Sequence, residues 1–181
     1  MPIFCGPLCV QLRAQALAKL FKDPAGVVRL NVQNIMQLTS TQQAGATQLV
    51  EFNLVSTLLE CLQSEPEVAI QNTILMTLYN TMKVNTDVLL NGGAMKVFVQ
   101  FLDASTDVAI RKNVARNIMA LSIPLDGKVQ ACENDAIPPL VFLLRNTRPP
   151  TALGNDDDWS ASCPSPPPLC VRVGVRECGS A

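Results

Sequence analysis

Leu54-Val55-Ser56-Thr57-Leu58-Leu59-Glu60-Cys61-Leu62 decides the reading of this chain, because its apolar rhythm returns at residues 94–102 and at 136–144. The offsets are 40 and 42. A short polar link follows each copy. In the first two copies a second apolar-periodic run then begins, at Val68 and at Val108, again 40 apart. A further run of this second kind surrounds Val28, which stands one such period before Ile70. Apolar residues at three- and four-residue steps build helices, and paired helices recurring with a period near 40 build a solenoid. One unit cannot bury its own apolar face, so units stack and leave a side surface free to bind. The expected role is an interaction scaffold rather than an enzyme.

Composition points the same way. Hydrophobic residues make up 48% of the chain but aromatics only 4%. Helical repeats pack with Leu, Ile, Val, Ala and Met, whereas sandwiches and barrels lean on aromatic and β-branched strands. No apolar run approaches the roughly 18 residues of a membrane helix, so no membrane partner is expected. The opening Met1-Pro2-Ile3-Phe4-Cys5-Gly6-Pro7 lacks the basic start of a signal peptide, so the chain reads as intracellular. Through Arg148 there are 12 basic and 11 acidic residues, and the remainder holds 2 basic and 4 acidic. Neither part has the basic excess that nucleic-acid binding requires.

Along the chain, residues 13–21 keep the rhythm of the repeat's Leu-rich helix, and Lys22-Asp23-Pro24-Ala25-Gly26 breaks it, since proline fixes φ and removes a donor. From residue 27 to about 38 the apolar positions Val28, Val32, Ile35, Met36 and Leu38 predict one helical face. A weaker helix follows over 44–52. The next unit runs through 54–62, the break Gln63-Ser64-Glu65-Pro66, and a long helix over 67–83 with Ile70, Ile74, Leu75, Leu78 and Met82 inward. Glu65 and Glu67 suit that helix's N-terminus electrostatically. A short helix over 86–90 ends at Asn91-Gly92-Gly93, where glycine supplies a left-handed cap. The third unit repeats the order, with Asp107 as an N-cap for 108–122, a break over 123–128, and a short helix near 129–134. After Arg148 the composition changes: six prolines fall between positions 149 and 168, and no periodicity remains. The expected organisation is an array of about three units over 8–148, followed by a Pro-rich disordered tail over 149–181. A chain that opens inside a unit and stops before completing one reads as a fragment or splice product of a longer array. The expected fold class is all-α, a right-handed α-solenoid of armadillo/HEAT-type repeats.

Catalytic machinery finds little support. The chain has no histidine, which removes Ser-His-Asp and Cys-His sets together with the commonest metal ligand. The seven cysteines, Cys5, Cys9, Cys61, Cys132, Cys163, Cys170 and Cys178, form no C-x-x-C pair, so neither a zinc site nor a redox motif is expected. Cys61 aligns with Phe101 and Leu143 and reads as a core filler. Asp156-Asp157-Asp158 lacks the glycine and distant glutamate of a calcium loop and reads as a solvated acidic run. No nucleotide fingerprint occurs. No catalytic residue, cofactor, metal or small-molecule substrate is expected.

The binding candidates lie on the long helices. In the register of Val28, Ile70 and Ile110, Asn31, Thr73 and Asn113 share one level. Asn34, Met76 and Arg116 share the next, and Leu38, Asn80 and Ala120 a third. Steps of three and four keep these positions on one face beside the buried stripe. Stacking turns that face into a ladder along the concave side, a natural peptide groove. The candidate protein-binding residues are Asn31, Asn34, Thr73, Met76, Asn80, Asn113 and Arg116. Arg116 is the sharpest choice, because its guanidinium offers a rigid fork to a carboxylate or carbonyl.

Leu78-Tyr79-Asn80-Thr81-Met82 and Ala136-Ile137-Pro138-Pro139-Leu140-Val141-Phe142-Leu143-Leu144 resemble armadillo repeats. In importin-α and β-catenin the asparagine matching Asn80 holds the backbone of an extended peptide. Here Leu38 and Ala120 stand at the matching places, so the asparagine ladder is interrupted. Ala120-Leu121-Ser122-Ile123-Pro124-Leu125-Asp126-Gly127-Lys128, followed by residues 136–144, resembles in order and spacing the armadillo-repeat radial spoke head family of cilia and flagella, the rhabdoid tumour deletion region family. Leu20-Phe21-Lys22-Asp23-Pro24 and Val28-Arg29-Leu30-Asn31 resemble an earlier repeat of it. The similarity covers roughly residues 8–146, and its most specific piece is Ser122 to Lys128. It implies a structural component of the axonemal radial spoke, with other spoke proteins as partners. The alternative is a cytoplasmic or nuclear armadillo adaptor that takes a linear peptide in its concave groove.

Overall fold

The computed structural model describes residues 17–103 and 106–146. The expectations placed on residues 8–16, on the tail over 149–181, on Asp156-Asp157-Asp158 and on Cys5, Cys9, Cys163, Cys170 and Cys178 lie outside the described residues. A 3-10 turn, Leu20–Lys22, precedes a long helix α1, Gly26–Ser40. Then come α2 (Gln43–Glu51), α3 (Leu54–Ser64) and the long α4 (Val68–Met82). The order repeats with α5 (Thr86–Asn91), α6 (Ala94–Gln100) and the long α7 (Val108–Leu121), and resumes with α8 (Leu125–Glu133) and α9 (Ile137–Asn146).

The three long helices begin at Gly26, Val68 and Val108, which keeps the sequence period in their starts. Among the described residues the most extensive packing joins α1 to α4 and α4 to α7. Ile70, Ile74, Leu75 and Leu78 of α4 are fully buried in that stack, with Val32 and Met36 before them and Ile110, Val114 and Ile118 after. Each such side chain contributes about 1.5–3 kcal/mol by leaving water. The second layer, α3 and α6, closes the core with Leu58, Leu62, Met95 and Phe98.

The turn into each second-layer helix is made the same way. Asn53, Gly93 and Asp135 all have left-handed backbone, with φ of 54, 71 and 53°. Glycine adopts this at least cost, and asparagine and aspartate tolerate it better than other residues. Caps reinforce the first turns. The Asn85 side chain accepts the Asp87 and Val88 N–H groups at 3.1 and 3.4 Å. Asp107 caps α7 as expected, its carboxylate accepting the Ala109 N–H at 2.8 Å.

Three details differ from the sequence reading. Ile35 and Leu38 do not join the inward face of α1: they are 49% and 66% exposed, while Gln33 and Ser40 are buried. Their counterparts in α4, Thr77 and Asn80, lie on the side turned back toward α1, and α1 has no described long helix on that side. The helix expected near 129–134 begins at Leu125. Pro124 stands just before it with φ −70°, already suited to a helix start, and the Lys128 N–H donates to its carbonyl at 3.3 Å. Glu65 does more than complement a helix dipole. It is buried and takes Arg29 of α1 in a two-pronged bond, Nε at 2.9 Å and Nη2 at 3.0 Å. Arg29 also donates to Glu67 at 3.1 Å and to the Asp23 carbonyl at 2.9 Å. The two carboxylates thus fix α1 to the link before α4, the Asp23 carbonyl steadies the same guanidinium, and the Glu65 bond raises its pKa further.

Cys61 sits among Leu58, Leu59 and Leu62 and is buried, as its alignment suggests, whereas Cys132 is exposed. Burial pushes the Cys61 thiol up, away from the reactive thiolate. Brief alkylation of the native chain followed by peptide mapping should mark Cys132 and leave Cys61 unmodified until denaturant is added. Equal labelling of both would mean that α3 opens on the labelling timescale.

Candidate functional site

The long helices hold no aspartate or glutamate along their lengths, so their outward faces are polar, apolar or basic. At the middle level Asn34, Met76 and Arg116 are all exposed. At the first level Asn31 is exposed, but Thr73 and Asn113 are half-buried and engaged. Thr73 donates to the Ala69 carbonyl at 2.9 Å, and the Asn113 amide donates to Asn72 Oδ1 at 2.9 Å, tying α7 to α4. At the third level Leu38 is exposed and Asn80 half-buried. The Asn80 amide donates to Ser40 Oγ at 3.0 Å, and its oxygen accepts Lys83 Nζ at 3.4 Å.

The structure brings Asn80 and Arg116 to one place through a residue that the sequence reading did not single out. Tyr79 lies between them. The Arg116 guanidinium stands 3.9 Å from the Tyr79 ring centre and Lys83 Nζ stands 5.0 Å from it. Ser40, Asn80, Lys83, Tyr79 and Arg116 therefore form one connected strip across α1, α4 and α7. Asn31, Asn34 and Thr73 lie on the same outward stripe but make no bond to that strip among the described residues. The signals that could have found it are the single tyrosine of the chain and the four-residue step from Tyr79 to Lys83, one helical turn.

Below the strip, Asn117 is buried and its amide donates to the Leu75 carbonyl at 3.2 Å and to the Asn113 carbonyl at 2.8 Å. It locks the α4–α7 crossing that aligns Tyr79 with Arg116. Its periodic neighbours gave no hint of this, because Thr77 holds the matching place in α4 and bonds only its own helix, at the Thr73 carbonyl.

Among the described residues no group of three or more His, Cys, Asp or Glu side chains is placed to hold a metal ion. Among them, too, no helix is long and apolar enough to cross a membrane. The strip offers cations, amides and an aromatic ring but no nucleophile paired with a base. Chemically it can bind and orient a partner.

No family model matches the sequence. Solved structures do share the fold. A designed armadillo repeat protein in complex with the peptide (KR)4 superposes with TM-score 0.67 at 17% identity, over 74% of this chain and 57% of that one. A second designed armadillo repeat protein gives 0.66 at 17% identity, over 74% and 57%. An engineered protein gives 0.66 at 20% identity, over 75% and 56%. The match thus spans little more than half the length of those chains. At such identities the likeness concerns fold: an all-α right-handed solenoid of armadillo-type repeats.

Proposed function

We propose that this chain is a non-catalytic protein-interaction scaffold that takes an extended partner segment along the outward face of α1, α4 and α7. The observation that carries the reading is the strip from Ser40 to Arg116. Three helices in periodic register place polar and basic groups side by side, Ser40 buried at one end, Tyr79 and Asn80 half-buried, and Lys83 and Arg116 exposed. The similar fold of a designed protein in complex with a peptide supports it. The setting we propose is the axonemal radial spoke, on the resemblance centred on Ser122 to Lys128, which spans the junction of α7 and α8. The adaptor reading shares the face and differs in place.

Two measurements separate these statements. A fluorescent fusion in a ciliated cell should concentrate along the axoneme; a diffuse or nuclear signal overturns the spoke setting and favours the adaptor. In affinity capture from the same cells, the double variant Asn80→Ala/Arg116→Ala should retain native helicity, because Arg116 is exposed and the Asn80 change removes one side-chain bond to Ser40 from a half-buried site and leaves the apolar core intact. It should recover at least about tenfold less partner, as a loss of roughly 1–3 kcal/mol at a hot spot implies. Undiminished capture by the folded variant places the interface elsewhere.

A further inference from the structure

We infer that the strip over Tyr79 selects an acidic partner segment, an extended peptide whose Asp or Glu carboxylates sit against Arg116 and Lys83. The inference rests on the scaffold reading and adds the chemistry of what is bound.

The charges are segregated by helix. All three long helices lack carboxylates, whereas α2, α3, α5 and α8 carry Glu51, Glu60, Asp87, Asp126 and Glu133. Of the cations on the long helices, Arg29 is spent on Glu65 and Glu67, and Arg111 of α7 is half-buried with its Nε enclosed. Lys112 and Arg116 are exposed one turn apart on α7, and Lys83 is exposed at the end of α4. None of these three is in an ion pair among the described residues, where the three bridges present are Lys22–Glu60, Arg29–Glu65 and Arg29–Glu67. The chain as a whole has a formal charge of −1, so general attraction does not favour an anion. A local site does.

The geometry then converts charge into a seat. Tyr79 holds the Arg116 guanidinium against its ring, and Asn80 holds Lys83. Both long side chains are therefore already restrained, and a carboxylate arriving there need not bear the full cost of ordering them. Arg116 makes no side-chain hydrogen bond among the described residues, so its planar fork remains open for two-pronged recognition of a carboxylate. Met76, exposed one helical turn before Tyr79 and Asn80 on α4, suits an apolar side chain beside the acidic ones. The Asn80 amide already bonds Ser40 and Lys83, which shifts the hold on a ligand from its backbone to its side-chain charge. This is the opposite sign from the basic (KR)4 ligand of the similar designed protein.

The test is fluorescence anisotropy of the full chain with two labelled probes, an alternating Glu-Ala octapeptide and the (KR)4 peptide, at low and high salt. The Glu-Ala probe should bind at least about tenfold more tightly at low salt, with the preference shrinking as salt rises. Lys83→Glu/Arg116→Glu should reverse the order. Tyr79→Phe should keep it, since the ring remains, and Tyr79→Ala should weaken it. Circular dichroism establishes that each variant is folded. A preference for (KR)4, equal binding, binding of neither probe, or Glu-Ala binding unchanged in the folded double variant overturns the inference. Partner capture from cells that persists in any of those cases leaves the scaffold reading standing and refutes the acidic selection alone.

Discussion

Leu78→Ala should be among the most destabilising single changes in this chain, lowering the unfolding free energy by about 2–5 kcal/mol. Leu78 lies on α4, the only described long helix with a described long helix on each side, and is fully buried. Truncation removes the side chain's transfer free energy and leaves a cavity between Met36 of α1 and Ile118 of α7, the residues at the matching places in the register. Neither neighbour can close that gap without shifting its own helix. In a stacked array stability is roughly a sum of unit terms and nearest-neighbour interfaces, so a change in α4 weakens two interfaces. Leu38→Ala, the same chemical change on an exposed site, should stay within about 0.5 kcal/mol of the parent. Urea unfolding followed by circular dichroism measures both. Similar losses for the two variants would mean that α4 is not the centre of the core.

The contrast between Leu78 and Leu38 also shows what a one-dimensional pattern conveys. Period and register were legible, because a buried stripe must recur at three- and four-residue steps and each unit must present it at the same height. Val28, Ile70 and Ile110 accordingly occupy the third position of α1, α4 and α7. The left-handed turn at Gly93 was legible from its two glycines. What periodicity does not convey is which side of a helix has a neighbour. Ile35 and Leu38 continue an apolar run yet face solvent, because burial depends on an adjacent helix and not on the helix's own sequence. The Arg29–Glu65 pair joins α1 to the link before α4, far apart in sequence, and no local rule anticipates it. At the candidate site the outward face was readable and its wiring was not. Asn80 meets Ser40, and Arg116 meets Tyr79, only because of the crossing that Asn117 fixes from below.

Gly127→Ala should destabilise the chain by about 1–3 kcal/mol or more, although the substitution favours helix by up to roughly 1 kcal/mol in isolation. Gly127 is the third residue of α8 and is buried. A Cβ placed on it would overlap the Leu121 carbonyl oxygen at the end of α7 and lie 3.3 Å from Ser122 Cα. These obstacles are backbone, which cannot swing aside as a flexible side chain would, so the overlap outweighs the helix propensity. Gly45 repeats the arrangement at the third residue of α2, where a Cβ would overlap the Thr39 carbonyl oxygen of α1. In α5 the third residue is Val88, so the need for glycine follows the tightness of each crossing and not the repeat pattern. Thermal unfolding of Gly127→Ala and Gly45→Ala should show lowered midpoints, and the double variant should lose close to the sum, since the two sites share no contact. Lys128→Ala, exposed on the next residue, should leave the midpoint nearly unchanged, within about 0.5 kcal/mol. If Gly127→Ala unfolds where Lys128→Ala does, or higher, then α8 does not cross α7 this closely, and the propensity term has won.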